Sequence, residues 1–203
     1  MRIIGGECRG RKLRPVPGRG VRPTADRIRE AVFNILGPSV RDATVLDLFA
    51  GTGALGLEAL SRGAATAVFV DRMPDALRAI SRNLTDLGLK DRGRAIRWDL
   101  SRNLGPLRNH RPPFDLVFCD PPYAKGWLET VLPRLFRAGC LAEGARLVVE
   151  HPAEETPPEV PGGPRLSDRR RYGKTLVSFL DCDMGADILD APSGDAFGER
   201  DGF

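Results

Sequence analysis

A chain of 203 residues, 41% apolar and 29% charged, has the size and composition of one globular domain with a small appendage; no run of eighteen apolar residues and no apolar leader segment argue against a membrane span and a secretory signal. Four scattered cysteines (Cys8, Cys119, Cys140, Cys182) and two histidines (His110, His151) have no zinc-type spacing, so the expectation is reduced thiols, no metal and a cytoplasmic protein. The formal net charge of +4 hides an asymmetry, with nine Arg or Lys against three acids in residues 1–30 and seven acids against one Arg in residues 181–203, so the body is basic and a nucleic acid is the natural partner; a merely soluble basic face is the alternative.

Residues 2–17 read as a short arm. Ile3-Ile4 and Lys12 to Val16 flank Gly5-Gly6 and Gly10, the pattern of a hairpin carrying Arg9, Arg11, Lys12 and Arg14. Glycines let backbone approach a phosphate chain closely, and arginines offer it forked donors. So small an arm buries little by itself and is expected to lean on the main domain. Thr24 reads as the N-cap of a helix through Leu36, stopped by Gly37-Pro38. Ile28, Val32, Ile35 and Leu36 form its apolar stripe; Asp26, Arg27, Arg29 and Glu30 form either a solvated face or a lid over a ligand.

From Thr44 onward strand and helix patterns alternate. Strands are predicted at 45–49, 67–70, 95–98, 116–119 and 146–149, with helices at about 54–62, 74–87 and 127–138. This alternation predicts a mostly parallel sheet covered on both faces, with right-handed crossovers. Pro152 to Pro164 reads as a loop leading to a final antiparallel pair, 165–172 and 175–180, turned by Gly173-Lys174. Residues 183–203 are acidic and unpatterned and read as a disordered tail.

Two corners carry the chemistry. Leu116 to Cys119 ends in Asp120-Pro121-Pro122-Tyr123: the prolines stop the strand rigidly and hold a carboxylate and an aromatic ring at its carboxyl end, where open α/β sheets bind ligands. An acceptor beside a π-surface suits a flat heterocycle with an exocyclic amino group. The first strand runs into Gly51-Thr52-Gly53-Ala54-Leu55-Gly56 and a helix, a G-x-G-x-x-G nucleotide motif in its proper context. Asp71, ending strand two, is placed for ribose hydroxyls, and Asp99, ending strand three, for an adenine amino group. Asp47 separates the two candidate ligands: it would repel a dinucleotide pyrophosphate and welcome the ammonium of an amino-acid arm, favouring S-adenosylmethionine over NAD. Trp98 and Trp127 read as packing, and the two histidines as surface or local-structure residues.

These residues carry a family resemblance. Asp47 through Gly63 resembles motif I of Rossmann-like methyltransferases, and Asp120-Pro121-Pro122-Tyr123 resembles their exocyclic-amine motif. Arg2-Ile3-Ile4-Gly5-Gly6, Arg9 to Leu13, Arg22-Pro23-Thr24 with Asp26-Arg27, and Arg29-Glu30 are similar to the RsmD-type family, bacterial enzymes that methylate the 2-amino group of a guanine in 16S ribosomal RNA. The likeness spans about residues 1–182. It departs at Asp71, where many relatives have Glu, and in the acidic tail.

The resemblance implies a class I fold: a seven-stranded, mostly parallel sheet with helices on both faces, a final antiparallel strand and a small N-terminal hairpin and helix. It implies a basic RNA-binding arm and cofactor lid at 1–37, a methyltransferase domain at 38–182 and the tail at 183–203. Asp47, Phe49, Ala50, Gly51, Gly53, Gly56, Asp71, Asp99 and Asp120 would hold S-adenosylmethionine. Asp120, Pro121 and Tyr123 would carry catalysis. Arg9, Arg11, Lys12, Arg14, Arg22 and Tyr123 would meet ribosomal RNA or the small ribosomal subunit, with the protein acting as a monomer, away from membranes. Two other readings stand: an adenine or cytosine amino methyltransferase acting on DNA or another RNA, although no separate target-recognition domain is visible, and a non-catalytic RNA-binding module.

Overall fold

The computed structural model describes residues 1–17, 23–122 and 126–182. Arg22, Tyr123 and the acidic stretch 183–203 lie outside them. In chain order the described residues form α1 (Pro23–Leu36), β1 (Thr44–Leu48), α2 (Ala54–Ser61), β2 (Thr66–Asp71), α3 (Pro74–Leu87), β3 (Gly93–Arg97), β4 (Phe114–Cys119), α4 (Trp127–Arg137), β5 (Leu141–Pro152), β6 (Arg165–Tyr172) and β7 (Thr175–Asp181). Local chemistry explains α3: Ala76, Ile80, Leu84 and Leu87 recur at helical spacing and are buried, Pro74 opens the first turn, and Gly88 closes the helix at φ 74°.

The strands make one Rossmann-like sheet in the order β3-β2-β1-β4-β5-β7-β6. Neighbours from β3 to β5 are parallel, and β7 is antiparallel to both β5 and β6. Every residue of β1 is buried, as a central strand covered on both faces requires. One apolar layer gathers Phe33 of α1, Leu57 of α2 and Ile80 of α3 against Phe118 and Phe179; the other gathers Leu128, Val131 and Leu135 of α4 against Val117 and Val149. The winding direction reverses between β1 and β4. Leu48 pairs with Cys119, so the segments leaving these two strands emerge side by side at the carboxyl edge, where such a reversal opens a crevice.

Three local expectations change. β5 extends well beyond the predicted 146–149, because β4 and β7 pair with it beyond its apolar centre. α1 begins at Pro23, placing Thr24 inside the helix instead of at its cap. The arm is no two-stranded hairpin: it closes through one bridge, Arg2 to Lys12, with Ile3 N–H donating to Arg11 O and Gly10 N–H to Ile3 O, both at 2.9 Å. It is anchored by α2. Ile4 and Gly5 N–H donate to the Glu58 carboxylate at 2.8 and 2.7 Å, and Cys8 N–H donates to Ser61 Oγ at 2.9 Å. The arm does lean on the main domain, since Ile3, Cys8 and Leu13 join the same apolar layer as α1 and α2.

Candidate active site

The backbone leaving β1 turns through Phe49 (φ 58°) and Gly51 (φ 56°), and Gly53 (φ 77°) caps α2. Glycine tolerates this left-handed region; Phe49 is strained there, and its ring meets Trp127 edge-on with centroids 5.0 Å apart. Gly56 faces the sheet, and a Cβ added there would strike the Phe69 ring. Its absence lets α2 sit down on β2 and brings the helix start to the crevice.

That crevice is a cleft of about 720 Å³ walled by both predicted corners. Asp47, Phe49, Ala50 and Gly51 come from the first, Asp120 and Pro121 from the second, and Asp71 and Asp99 from the ends of β2 and β3. Gly53 and Gly56 do not face it; they shape the turn from behind.

Asp47 is 2% exposed, and its Oδ2 accepts the Gly56 N–H at 3.0 Å. Burial pushes its carboxyl well above the usual carboxylate range, the Gly56 N–H opposes this, and the charges of Asp120 and Asp71 add to the rise. A carboxylate so costly to ionise alone gains most from a cation brought against it. Asp71 ties the two bends together: Oδ2 accepts Gly51 N–H at 2.9 Å and Oδ1 accepts Met73 N–H at 2.8 Å, each oxygen keeping one further acceptor site. At Asp99, Oδ1 accepts the Ser101 hydroxyl at 2.7 Å and its N–H at 3.0 Å, and these bonds hold the carboxyl below its usual range. Asp120 is exposed at the mouth, and Pro121 is buried beside it.

Part of the wall escaped the sequence reading. Trp98 and Trp127 pack as expected but also line the cleft, Trp98 held by its indole N–H donating to Asn103 O at 2.8 Å. Their positions beside Asp99 and just beyond the proline corner were the available signal. Glu150 and Val177 reach the wall only because β5 lies beside β4 and β7 beside β5, which nothing local announces. From α1, Ile28 and Val32 line the cleft together with Arg29, the charged residue of that helix that reaches it; Arg29 is 3% exposed, with one terminal nitrogen donating to Arg2 O at 2.5 Å and to Asp26 at 3.2 Å. Asp26 and Glu30 border a separate hollow with Arg2, Arg9 and Arg27.

Of the predicted RNA contacts on the arm, none lines the cleft. Arg11 donates to the Asp86 carbonyl and Arg14 pairs with the Asp86 carboxylate at 2.5 Å, while Arg9 and Lys12 are exposed. His151 is buried, not superficial, its Nε2 2.8 Å from Ser178 Oγ; His110 stacks on Phe114. The described residues contain no cluster of side chains able to hold a metal ion.

A bend that brings bare Gly51 backbone to the cleft, a buried carboxylate near the start of α2 and acceptors at the ends of β2 and β3 fit an adenosine ligand with a cationic arm better than one with a pyrophosphate. The family model described as Conserved hypothetical protein 95 matches residues 1–181. Ribosomal RNA small subunit methyltransferase D of Escherichia coli strain K12 is 44% identical over 175 residues, covering 86% of each chain. A solved Escherichia coli structure, yhhF, described provisionally as a methyltransferase, superposes with a TM-score of 0.80 at 39% identity, covering 91% of this chain and 99% of that one. An RNA methyltransferase of Salinibacter ruber, solved with S-adenosyl-L-homocysteine, shares the fold at a TM-score of 0.59 and 14% identity, covering 82% and 97% of the two chains. With a class I methyltransferase sheet and a match along nearly its whole described length, this chain belongs to the RsmD family of ribosomal RNA small-subunit methyltransferases.

Proposed function

We propose that the protein transfers a methyl group from S-adenosylmethionine to the exocyclic 2-amino group of a guanine in 16S ribosomal RNA. The observation that carries this reading is the single cleft shared by the glycine bend after β1 and the acid–proline corner after β4, in a chain of this family. Asp47 receives the ammonium of the amino-acid arm, Asp71 the ribose hydroxyls and Asp99 the adenine amino group. The bound cofactor supplies an electrophilic sulfonium methyl.

A guanine amino nitrogen is a weak nucleophile because its lone pair is shared with the ring. Asp120 and the Pro121 carbonyl accept its N–H groups, aim the nitrogen into the cleft and stabilise the positive charge that develops on it. The base leaves its stack to reach them, and Tyr123 stacks on it. Neither proline has an N–H to donate, so the Asp120 carboxylate and the Pro121 carbonyl stand beside no proline donor, which suits an amino group.

Mass spectrometry of ribosomal RNA from cells with and without the protein is expected to show one N2-methylguanine lost from 16S RNA on deletion. An unchanged RNA, or a modification appearing on DNA when both are assayed side by side, overturns the reading. Asp120→Ala is expected to lower transfer at least a hundredfold, since it removes the principal charged acceptor, while cofactor binding persists in calorimetry. Full activity in that variant would remove Asp120 from the mechanism.

A further inference from the structure

We propose that the edge strand β6, with the turn that follows it, is the ledge that grips the phosphate backbone of the RNA beside the reacting base. The proposal rests on the reading of RNA as the substrate. Within ten residues β6 and its turn carry Arg165, Arg169, Arg170, Arg171 and Lys174, all exposed, against Asp168 alone. The arm that the sequence nominated is less available: two of its four cations are drawn onto Asp86. On the ledge Arg170 uses one N–H on Asp168 at 2.9 Å and Arg171 one on Gly173 O at 3.1 Å, and a guanidinium has five such donors.

Topology puts the ledge where it is useful. β6 is antiparallel to β7, which is antiparallel to β5, so β6 runs with β5 and its basic end lies at the carboxyl edge where the cleft opens. Glu150 pairs with Val177, and Val177 with Arg170. Glu150 and Val177 both line the cleft. Arg170 therefore lies one strand spacing, about 5 Å, from Val177 of the cleft wall and two, about 10 Å, from Glu150. Side chains alternate across a strand, so Arg169 and Arg171 project to one side of the edge and Arg170 to the other. Arg169, Arg170 and Arg171 thus bracket the carboxyl end of the edge from both faces, as suits a polyanion crossing it. Charged edge strands also serve simply to prevent edge-to-edge pairing, and the experiment separates the two roles.

The test compares wild type, the triple variant Arg169→Gln/Arg170→Gln/Arg171→Gln, the corresponding triple Arg→Lys variant, and Lys174→Glu. Binding of an unmodified 16S ribosomal RNA transcript is measured between 50 and 200 mM KCl, with cofactor calorimetry confirming that each variant is folded. Losing three phosphate contacts lowers the slope of log K against log salt by about 2. The KM for RNA is expected to rise at least tenfold in the triple Gln variant, with a much smaller change in kcat and in cofactor affinity, and the Lys variant is expected to keep the slope. Lys174→Glu, in an exposed turn, weakens binding in the same direction even if the triple Gln variant fails to fold. Unchanged slope and KM in the Gln variant, or in Lys174→Glu should the triple not fold, overturn the ledge and leave edge protection as the role of these charges. A wild-type protein that binds the transcript but methylates no RNA overturns the proposed function and not the ledge.

Discussion

Glu58 is the residue whose replacement should do most damage far from the reacting atoms. It is wholly buried in α2. Its Oε2 accepts Ile4 N–H at 2.8 Å and lies 3.4 Å from Arg29 Nε, while Oε1 accepts Gly5 N–H at 2.7 Å and Arg62 Nε at 2.8 Å. Each oxygen thus holds one backbone donor and one cation. In Glu58→Gln the side-chain NH₂ must face one of those pairs whichever way the amide turns; Arg62 loses its countercharge and Arg29 keeps only Asp26, at 3.2 Å. Breaking a buried ion pair from one side costs about 3–5 kcal/mol. For a domain near this size each kcal/mol is worth roughly 2–4 °C, so the melting temperature should fall by about 6–20 °C. Thermal denaturation followed by circular dichroism measures this, and amide exchange at Ile4 and Gly5 should accelerate as the arm detaches. Arg62→Ala, which removes a partly solvated partner, is the milder control. A fall below 2 °C with both amides still protected would refute the view of Glu58 as the anchor of the arm.

Asp47→Asn should act in opposite directions on stability and binding. Because the folded carboxyl titrates well above its unfolded value, the native state keeps a proton that the unfolded chain has lost, and stability falls as pH rises from about 4 through the raised folded value. The Asn variant lacks that loss and should melt higher than wild type at pH 7, while cofactor affinity falls about ten- to a hundredfold for one charge-assisted hydrogen bond; equal melting curves at every pH would refute this. Gly56→Ala places a methyl into the buried Phe69 ring, so stability should drop by about 1–3 kcal/mol in urea titration and cofactor affinity should weaken with it. An Ala variant as stable and as tight-binding as wild type would show that α2 has room to shift.

Much of this molecule could be read from its letters because the signals were local. The span of α3 follows from a 3.6-residue apolar repeat between Pro74 and Gly88, and the end of β4 from Pro121 and Pro122, which have no N–H to continue the pairing. The same local chemistry marked the acid at that end. Residues whose role arises between distant segments were silent: Glu58 looks like an ordinary helix glutamate until residues 4 and 5 fold onto it. Trp98 and Trp127 looked like core, because periodicity reports that a side chain is buried and says nothing of what opens beside it.

The order of the chain by itself determined the alternation, the two chemical corners and the basic excess, since each depends on neighbours in sequence. Only the tertiary structure decided that the corners share one cleft, that Arg29 and not Glu30 faces it, and which cations face solvent without a nearby acid. Those outcomes depend on strand order and on contacts such as Arg14 with Asp86, across 72 residues of chain, which propensity cannot encode.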